Sequence, residues 1–500
     1  MFPYKEAKYG STALIFTIIA LWYAVTNFIW WHINTPVIPW YDTAAVHFLD
    51  VFKNETISPP LIPWIMRFMF FLFGKEQSDL IIIAVNYVFF LIPLYFIYKI
   101  GEKTDSKETG QIAMILFAMV PAVYGLSRQF GHKDYHVIAA ITFNIYCLIK
   151  TDHFKNRKWA ILYGISAGLG LLIKEYFLAY FIPPFLWILF KAFKEKPRSF
   201  QRINIILASL IGILVSGIYY FDFYAIHKVL NDPVVQTRPV FSFSTIKIMM
   251  FGLYEELLSL PIFLVYLAGL WYFISRYRNK HKIIILLWIF VPWTIIFLMP
   301  HYKVSEYCAG FIPAMILIGA IFITHIKKNT VKEIILAALI IVGIIQHIDF
   351  SFFQKSILST LGVTINQTFF PYYRVDYKNI MNCNAKDNSQ KIVQLVDFIN
   401  KVCQGSKLSV YVNDNAVINS KAFRSAMLLQ DMRCLPKDIE KFNLKKDQNA
   451  IVLVGEMPVA MKKNKKKINR EFYMAATTFF YNNIKDESNK IRIFKRKINN

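Results

Sequence analysis

Long apolar stretches separated by short polar joints run along the chain from Ser11 to about Phe350. Segments this apolar, roughly 17–25 residues long, have the length of a bilayer-crossing helix. They fall at about 11–31, 79–99, 111–127, 136–150, 159–174, 175–193, 203–221, 258–275, 283–300, 306–326 and 333–350, which predicts a polytopic α-helical membrane protein with about 11 spans. After a linker at 351–374 the texture turns to Lys, Asn and Asp with short apolar runs, and residues 375–500 read as a small soluble α/β domain. Within it, 391–402 and 421–430 carry a helical period, whereas Leu408–Val412, Ala450–Val454 and Ile491–Phe494 read as strands.

One stretch breaks the alternation of span and short joint. Residues 32–78 are too polar and proline-interrupted to cross a bilayer, and too aromatic for a free linker. Residues 43–53 place Val46, Leu49 and Phe52 on one helical face, and Asn54-Glu55-Thr56 with Pro59-Pro60 ends that pattern. Residues 61–73, LIPWIMRFMFFLF, are apolar but too short to span, so they predict a helix lying in the interface, closed by Gly74, with Arg67 extended to the headgroups.

Composition agrees with the membrane reading. A soluble chain of 500 residues would divide into about three domains at ~150 residues each. This one is 56% hydrophobic and 17% aromatic, with a mean hydropathy of +0.39. The formal charge of +25 could attract nucleic acid, yet its distribution points elsewhere. Lys5 and Lys8; Lys99, Lys103 and Lys107; Lys150, Lys155, Arg157 and Lys158; Lys191, Lys194, Lys196, Arg198 and Arg202; Arg276, Arg278, Lys280 and Lys282; and Lys327, Lys328 and Lys332 all fall on one side of the predicted spans. Loops rich in Lys and Arg mark the cytoplasmic face. No nucleic-acid partner is needed to explain the charge. The N-terminus is then cytoplasmic, and an odd number of spans puts residues 375–500 on the extracytoplasmic side. The first span ends Phe28-Ile29-Trp30-Trp31, an interfacial aromatic belt rather than a cleavage site, so it is expected to be retained. Cys147 and Cys308 fall in spans, and Cys383, Cys403 and Cys434 lack zinc-ligand spacing.

The chemistry collects on the outer face. The first outer segment holds Asp42 between Pro39-Trp40-Tyr41 and Ala44-Ala45-Val46, and an acid in such a setting is costly to place without a function. The second outer loop brings Arg128, His132, Lys133 and Asp134 together, where Lys133 and Asp134 could be an ordinary interfacial pair. Gly164, Gly168 and Gly170 precede an elbow, Leu171 to Tyr176, that leaves Lys174 and Glu175 at membrane depth, able to pair with each other. Residues 222–257 carry Asp222, His227, Arg238, Lys247, Glu255 and Glu256, and a fifth segment carries His301, Lys303 and Tyr307. His132 and His301 could equally be satisfied interfacial histidines. An acid among cations in a half-buried site suits transfer from a phosphate-linked substrate: the carboxylate takes a proton from the acceptor, and the cations stabilise the departing phosphate.

The order of these motifs resembles one family. Asp42; Pro59-Pro60-Leu61-Ile62-Pro63-Trp64 through Leu72-Phe73-Gly74; Arg128 followed by Asp134; Gly164 through Gly168-Leu169-Gly170-Leu171-Leu172-Ile173-Lys174; and Lys303 followed by Tyr307 are similar in order to the GT-C membrane glycosyltransferases, in the protein O-mannosyltransferase and aminoarabinose transferase-like branch. The resemblance covers about 35–310. It implies a GT-C-like membrane domain over 1–350 and transfer of a sugar from a polyprenyl-phosphate carrier to a protein, lipid or glycan acceptor, at the outer face of a bacterial or archaeal cell membrane. Asp42 and Asp134 would be the catalytic acids; Arg128, Lys133, Lys174, Lys303, His301 and Tyr307 would line the carrier phosphate and substrate. A divalent metal ion is the one cofactor it raises, with Asp42, Asp134 and His132 as the ligands available. Three positions depart from the family pattern: Thr43 in place of a common Glu, Ser58 in place of a Lys before Pro-Pro, and Glu306 in place of an Arg before the late-span Tyr. Two other classes fit the same chain, a transporter or flippase for a lipid-linked or anionic solute and a homologue serving as a scaffold. The spans lack paired broken helices in corresponding halves, which counts against transport.

Overall fold

The computed structural model describes residues 11–34, 51, 59–128, 133–194, 199–221, 257–298, 305–352, 408–412, 450–454, 472–479 and 490–496. Of the expected helix over 43–53 only Val51 is among them; Asp42, His132, His301 and Lys303 lie outside them, as do 391–402 and 421–430.

Every predicted span contains helix. The chain forms α1 (Thr12–Asn34), α2 (Leu61–Phe73), α3 (Ser78–Thr104), α4 (Lys107–Ala118), α5 (Pro121–Ser127), α6 (Lys133–Lys150), α7 (Arg157–Leu171), α8 (Phe177–Lys194), α9 (Ser199–Tyr220), α10 (Leu260–Ser275), α11 (Lys282–Leu298), α12 (Ile312–Thr324) and α13 (Asn329–Phe352). Among the described residues six helical segments, Thr12–Ile33, Lys75–Thr104, Phe177–Lys194, Ser199–Tyr220, Tyr307–Thr324 and Asn329–Asp349, are long and apolar enough to cross a bilayer. α2, α10 and α11 are shorter apolar helices.

Two expected spans are not single α-helices. The segment 111–127 is broken at Met119–Val120, where Pro121 opens a new helix and so separates α4 from α5. The segment 306–326 begins as a 3-10 helix, Ser305–Phe311, before α12. Side chains cap two of the helix starts: Ser106 caps α4 by accepting from the Thr109 amide at 3.1 Å, and Asn156 caps α7 by accepting from the Trp159 amide at 3.4 Å.

α12 lies at the centre, with Ile312 to Ala320 buried, between α10 and α4. α7 and α9 pack along each other through small residues: a Cβ on Gly168 would sit 2.6 Å from the Cβ of Val215, so only glycine permits that approach. α2 buries Ile62, Pro63 and Met66 and exposes Phe68, Phe71, Leu72 and Phe73, the two-sided pattern expected of a helix in the interface. Its Arg67 does not run free to the headgroups as expected; the Nε donates to the carbonyl of Val51 at 2.7 Å.

The C-terminal strands are β1 (Leu408–Val412), β2 (Ala450–Val454), β3 (Phe472–Phe479) and β4 (Lys490–Arg496). They form one sheet in the order β1-β2-β4-β3, with β1 parallel to β2 and the other two pairings antiparallel. Three strands fall on the segments that read as strands in the sequence; β3 was not among them.

Candidate active site

The first turn of α6 and the elbow between α7 and α8 meet at one carboxylate. Asp134, in that first turn, accepts from Lys174 Nζ at 2.7 Å on one oxygen and from the Tyr176 hydroxyl on the other. The Asp134 side chain is 2% exposed and that of Lys174 15%. A helix N-terminus favours a carboxylate in its first turn, so backbone and ammonium both stabilise the charge. The elbow reaches Asp134 because the chain tightens after α7: the amides of Leu172 and Lys174 donate to the carbonyls of Gly168 and Gly170, at 3.1 and 3.2 Å.

Two aromatic rings complete the enclosure of the ammonium. Lys174 Nζ lies 4.9 Å from the ring centre of Tyr176 and 5.1 Å from that of Tyr307, and the two rings are 5.3 Å apart. Tyr307 is brought in by the 3-10 turn at the head of α12, whose Tyr307 carbonyl accepts from the Tyr180 hydroxyl of α8. The structure thus unites Asp134, Lys174 and Tyr307, which are separate in sequence. Tyr176 and Tyr180 were missed; their only sequence signal is proximity to Lys174.

Lys133 and Arg128 have other partners. Lys133 is 1% exposed and donates from Nζ to the carbonyl of Pro59 at 2.7 Å, beside the start of α2. The amide of Leu61, in the first turn of α2, donates to the carbonyl of Leu172 at 2.9 Å, so α2 is fastened to both elements that carry the Asp134–Lys174 pair. Arg128, 1% exposed, spreads its guanidinium over α1 and α13. Its Nε donates to Asn27 Oδ1 at 2.9 Å, Nη1 to Ser351 Oγ at 2.6 Å, and Nη2 meets His347 Nε2 at 3.1 Å, with the ring of Trp30 5.6 Å away. The two described cations of the loop expected to present one cluster, Arg128 and Lys133, therefore lie in two separate places.

A divalent metal does not fit Asp134 as it is placed. Both carboxylate oxygens are engaged by hydrogen-bond donors, and one of these is an ammonium that would repel a cation. Among the described residues no group of three His, Cys, Asp or Glu side chains could hold a metal ion.

Comparison with known proteins follows the same outline. Residues 58–221, from the Pro-Pro turn through α9, match the dolichyl-phosphate-mannose-protein mannosyltransferase family. No curated protein sequence matches the chain. In fold it is similar to ArnT from Cupriavidus metallidurans in the apo state, with a TM-score of 0.61 at 10% identity over 97% of this chain and 98% of that one. The same protein bound to undecaprenyl phosphate matches with a TM-score of 0.61 at 9% identity over the same shares of both chains. The Archaeoglobus fulgidus oligosaccharyltransferase in complex with Zn and sulfate matches with a TM-score of 0.51 at 11% identity, over 91% of this chain and 69% of that one. The chain is an integral membrane protein. By sequence across α2 to α9 it is similar to the dolichyl-phosphate-mannose-protein mannosyltransferase family, and over nearly its whole length it shares the fold of ArnT.

Proposed function

We propose that this chain transfers a sugar from a polyprenyl-phosphate carrier to an acceptor hydroxyl or amine at the outer face of the membrane. The observation that supports it most is the Lys174 ammonium held between Asp134, Tyr176 and Tyr307, next to the start of the interfacial helix α2. Such a cation suits the phosphate of a lipid carrier, whose headgroup lies at that depth. The ArnT homologue of the same fold carries undecaprenyl phosphate, and this adds to the reading.

In the proposed step the acceptor oxygen or nitrogen forms a bond to the anomeric carbon while the bond from that carbon to the phosphate oxygen breaks. The acceptor proton passes to Asp42, and the electron pair of the broken bond leaves with the polyprenyl phosphate. Lys174, with Lys303 and His301 from the late outer segment, offsets the developing phosphate charge. Asp134 holds Lys174 in place, and Tyr307 limits where it can move. Residues 375–500 complete the outer face in this reading, with about 11 spans and a cytoplasmic N-terminus.

The test is purified protein incubated with radiolabelled polyprenyl-phosphate sugars and candidate protein, lipid and glycan acceptors. Wild type is expected to transfer label and Asp42→Asn to lose transfer. Unaltered transfer by Asp42→Asn removes that residue from the reaction. Vectorial movement of the lipid-linked sugar in liposomes without any transfer would replace the enzyme reading by transport. A reporter fused to the C-terminus is expected to be active only when it functions outside the cytoplasm.

A further inference from the structure

The middle of α3 is apolar except for one amide, in the run Ile81-Ile82-Ile83-Ala84-Val85-Asn86-Tyr87-Val88-Phe89-Phe90. An asparagine at that depth in a span is expensive unless its hydrogen bonds are met within the protein. Asn86 is 2% exposed and its bonds reach two other helices. Its Nδ2 donates to the carbonyl of Ser127 at 2.8 Å, one of the last carbonyls of α5, which lack partners within their own helix. Its Oδ1 meets His136 Nε2 at 3.0 Å, and its own carbonyl accepts from the Tyr135 hydroxyl at 3.2 Å. One turn further along α3, Phe89 meets the His136 ring edge-on at 4.5 Å.

The placement of these partners is what matters. Ser127 immediately precedes Arg128, and Tyr135 and His136 immediately follow Asp134. One side chain of α3 therefore grips both ends of the second outer loop. We propose that Asn86 is a positioning residue, which sets where the first turn of α6 stands relative to the end of α5 and so delivers the Asp134 carboxylate to Lys174. This rests on the proposed transfer site for its consequence, though the clamp itself is a matter of geometry.

Two readouts on the full-length protein in nanodiscs keep the clamp and the transfer reading apart. In the transfer assay, Asn86→Leu keeps the side-chain shape, suits the span, and removes every side-chain bond. Because a misplacement of about 1 Å can cost ~10²-fold in rate, kcat is expected to fall by about that factor. The KM for the donor is expected to stay within about threefold, since the binding contacts remain. Asn86→Asp, neutral when buried and still carrying one donor and one acceptor, is expected to restore part of the rate. Asn86→Leu combined with Asp134→Asn is expected to be no slower than Asp134→Asn alone, because both act through one carboxylate. Wild-type rates in Asn86→Leu, or additive losses in the double variant, overturn the proposal. The second readout is the Asp134–Lys174 separation in a cryo-electron microscopy structure of Asn86→Leu. A lost contact supports the clamp and an unchanged one overturns it, even if wild type transfers no sugar and the functional reading fails. His136→Phe, which removes only the Oδ1 partner and keeps a ring against Phe89, gives the same two readouts should Asn86→Leu not fold.

Discussion

The Asp134 carboxylate and the Lys174 ammonium meet at 2.7 Å across forty residues of sequence, and each belongs to an element that also fastens the interfacial helix α2. The pair is the point where the start of α6, the glycine-rich elbow and the Pro-Pro turn are held in one place. Its consequences for stability and for transfer can be separated.

Neutralising one partner of a buried pair strands the other charge, at a cost of about 3–5 kcal/mol. Asp134→Asn and Lys174→Gln are each expected to lower the melting temperature of the solubilised protein clearly. The double variant leaves two neutral amides, so it is expected to regain much of the loss in melting temperature. Transfer is expected to stay well below wild type, though measurable, in all three, because in the proposed reaction the phosphate-facing cation is absent or unaimed. A thermal scan with the radiolabel assay on the same preparations checks both halves.

The aromatic rings around Lys174 make distinguishable contributions. Tyr176→Phe keeps the ring and removes the hydroxyl that donates to Asp134, a bond to a charged group worth about 1.5–3 kcal/mol. Tyr307→Phe keeps the ring 5.1 Å from the ammonium and is expected to be mild, whereas Tyr307→Leu removes a cation–π contact of about 0.5–2 kcal/mol. The expected order of retained transfer is Tyr307→Phe, then Tyr307→Leu, then Tyr176→Phe. Measured donor KM values are expected to rise in Tyr307→Leu, since its ring restricts the cation rather than fixing the acid.

How much of this was legible in the sequence depended on the range of the interaction. Local rules served well: Gly74 does close α2, with a φ of +82°, and β1, β2 and β4 lie on the short β-rich and apolar runs that read as strands. β3 escaped because a register shift between Met474 and Ala476 breaks the period of two that announces a strand. Pairing across the fold was not legible. Nothing in the spacing says that Lys174 bonds Asp134, that Lys133 bonds the Pro59 carbonyl, or that Arg67 turns to Val51. Those choices depend on which helices pack side by side. Asn86 was the missed opportunity: a lone polar residue in an apolar span is a signal by itself.

Arg128 joins three helices through a planar group, and that geometry gives a sharp expectation. Its three bonds reach Asn27 of α1 and His347 and Ser351 of α13, close to the C-terminal ends of both helices. Lysine carries the charge without the fork and cannot hold all three. Arg128→Lys is therefore expected to destabilise nearly as much as Arg128→Met. Ser351→Ala removes one partner and is expected to cost about 1–3 kcal/mol. Limited proteolysis after residue 352 is expected to quicken in the Arg128 variants. If Arg128→Lys keeps the wild-type melting temperature, the fork is not what holds α13.

The turn between α10 and α11 makes stability depend on pH. Burial pushes the His281 imidazole down to about 4, with the Lys280 and Lys103 charges and His153 acting in the same direction and Asp152 opposing them. Its Nε2 is buried without a hydrogen-bond partner, and its amide is held by Asn279 Oδ1 at 2.8 Å. The unfolded chain takes up a proton on this ring near pH 6.5, while the folded chain refuses it until about pH 4. The contribution is complete above about pH 6.5 and declines as pH falls toward 4, by roughly 2 kcal/mol at pH 5. His281→Gln removes the titrating group. The fall in melting temperature between pH 7 and pH 5 is expected to be smaller in that variant than in wild type, whereas equal falls would mean that the folded ring takes up its proton at the same pH as the unfolded one.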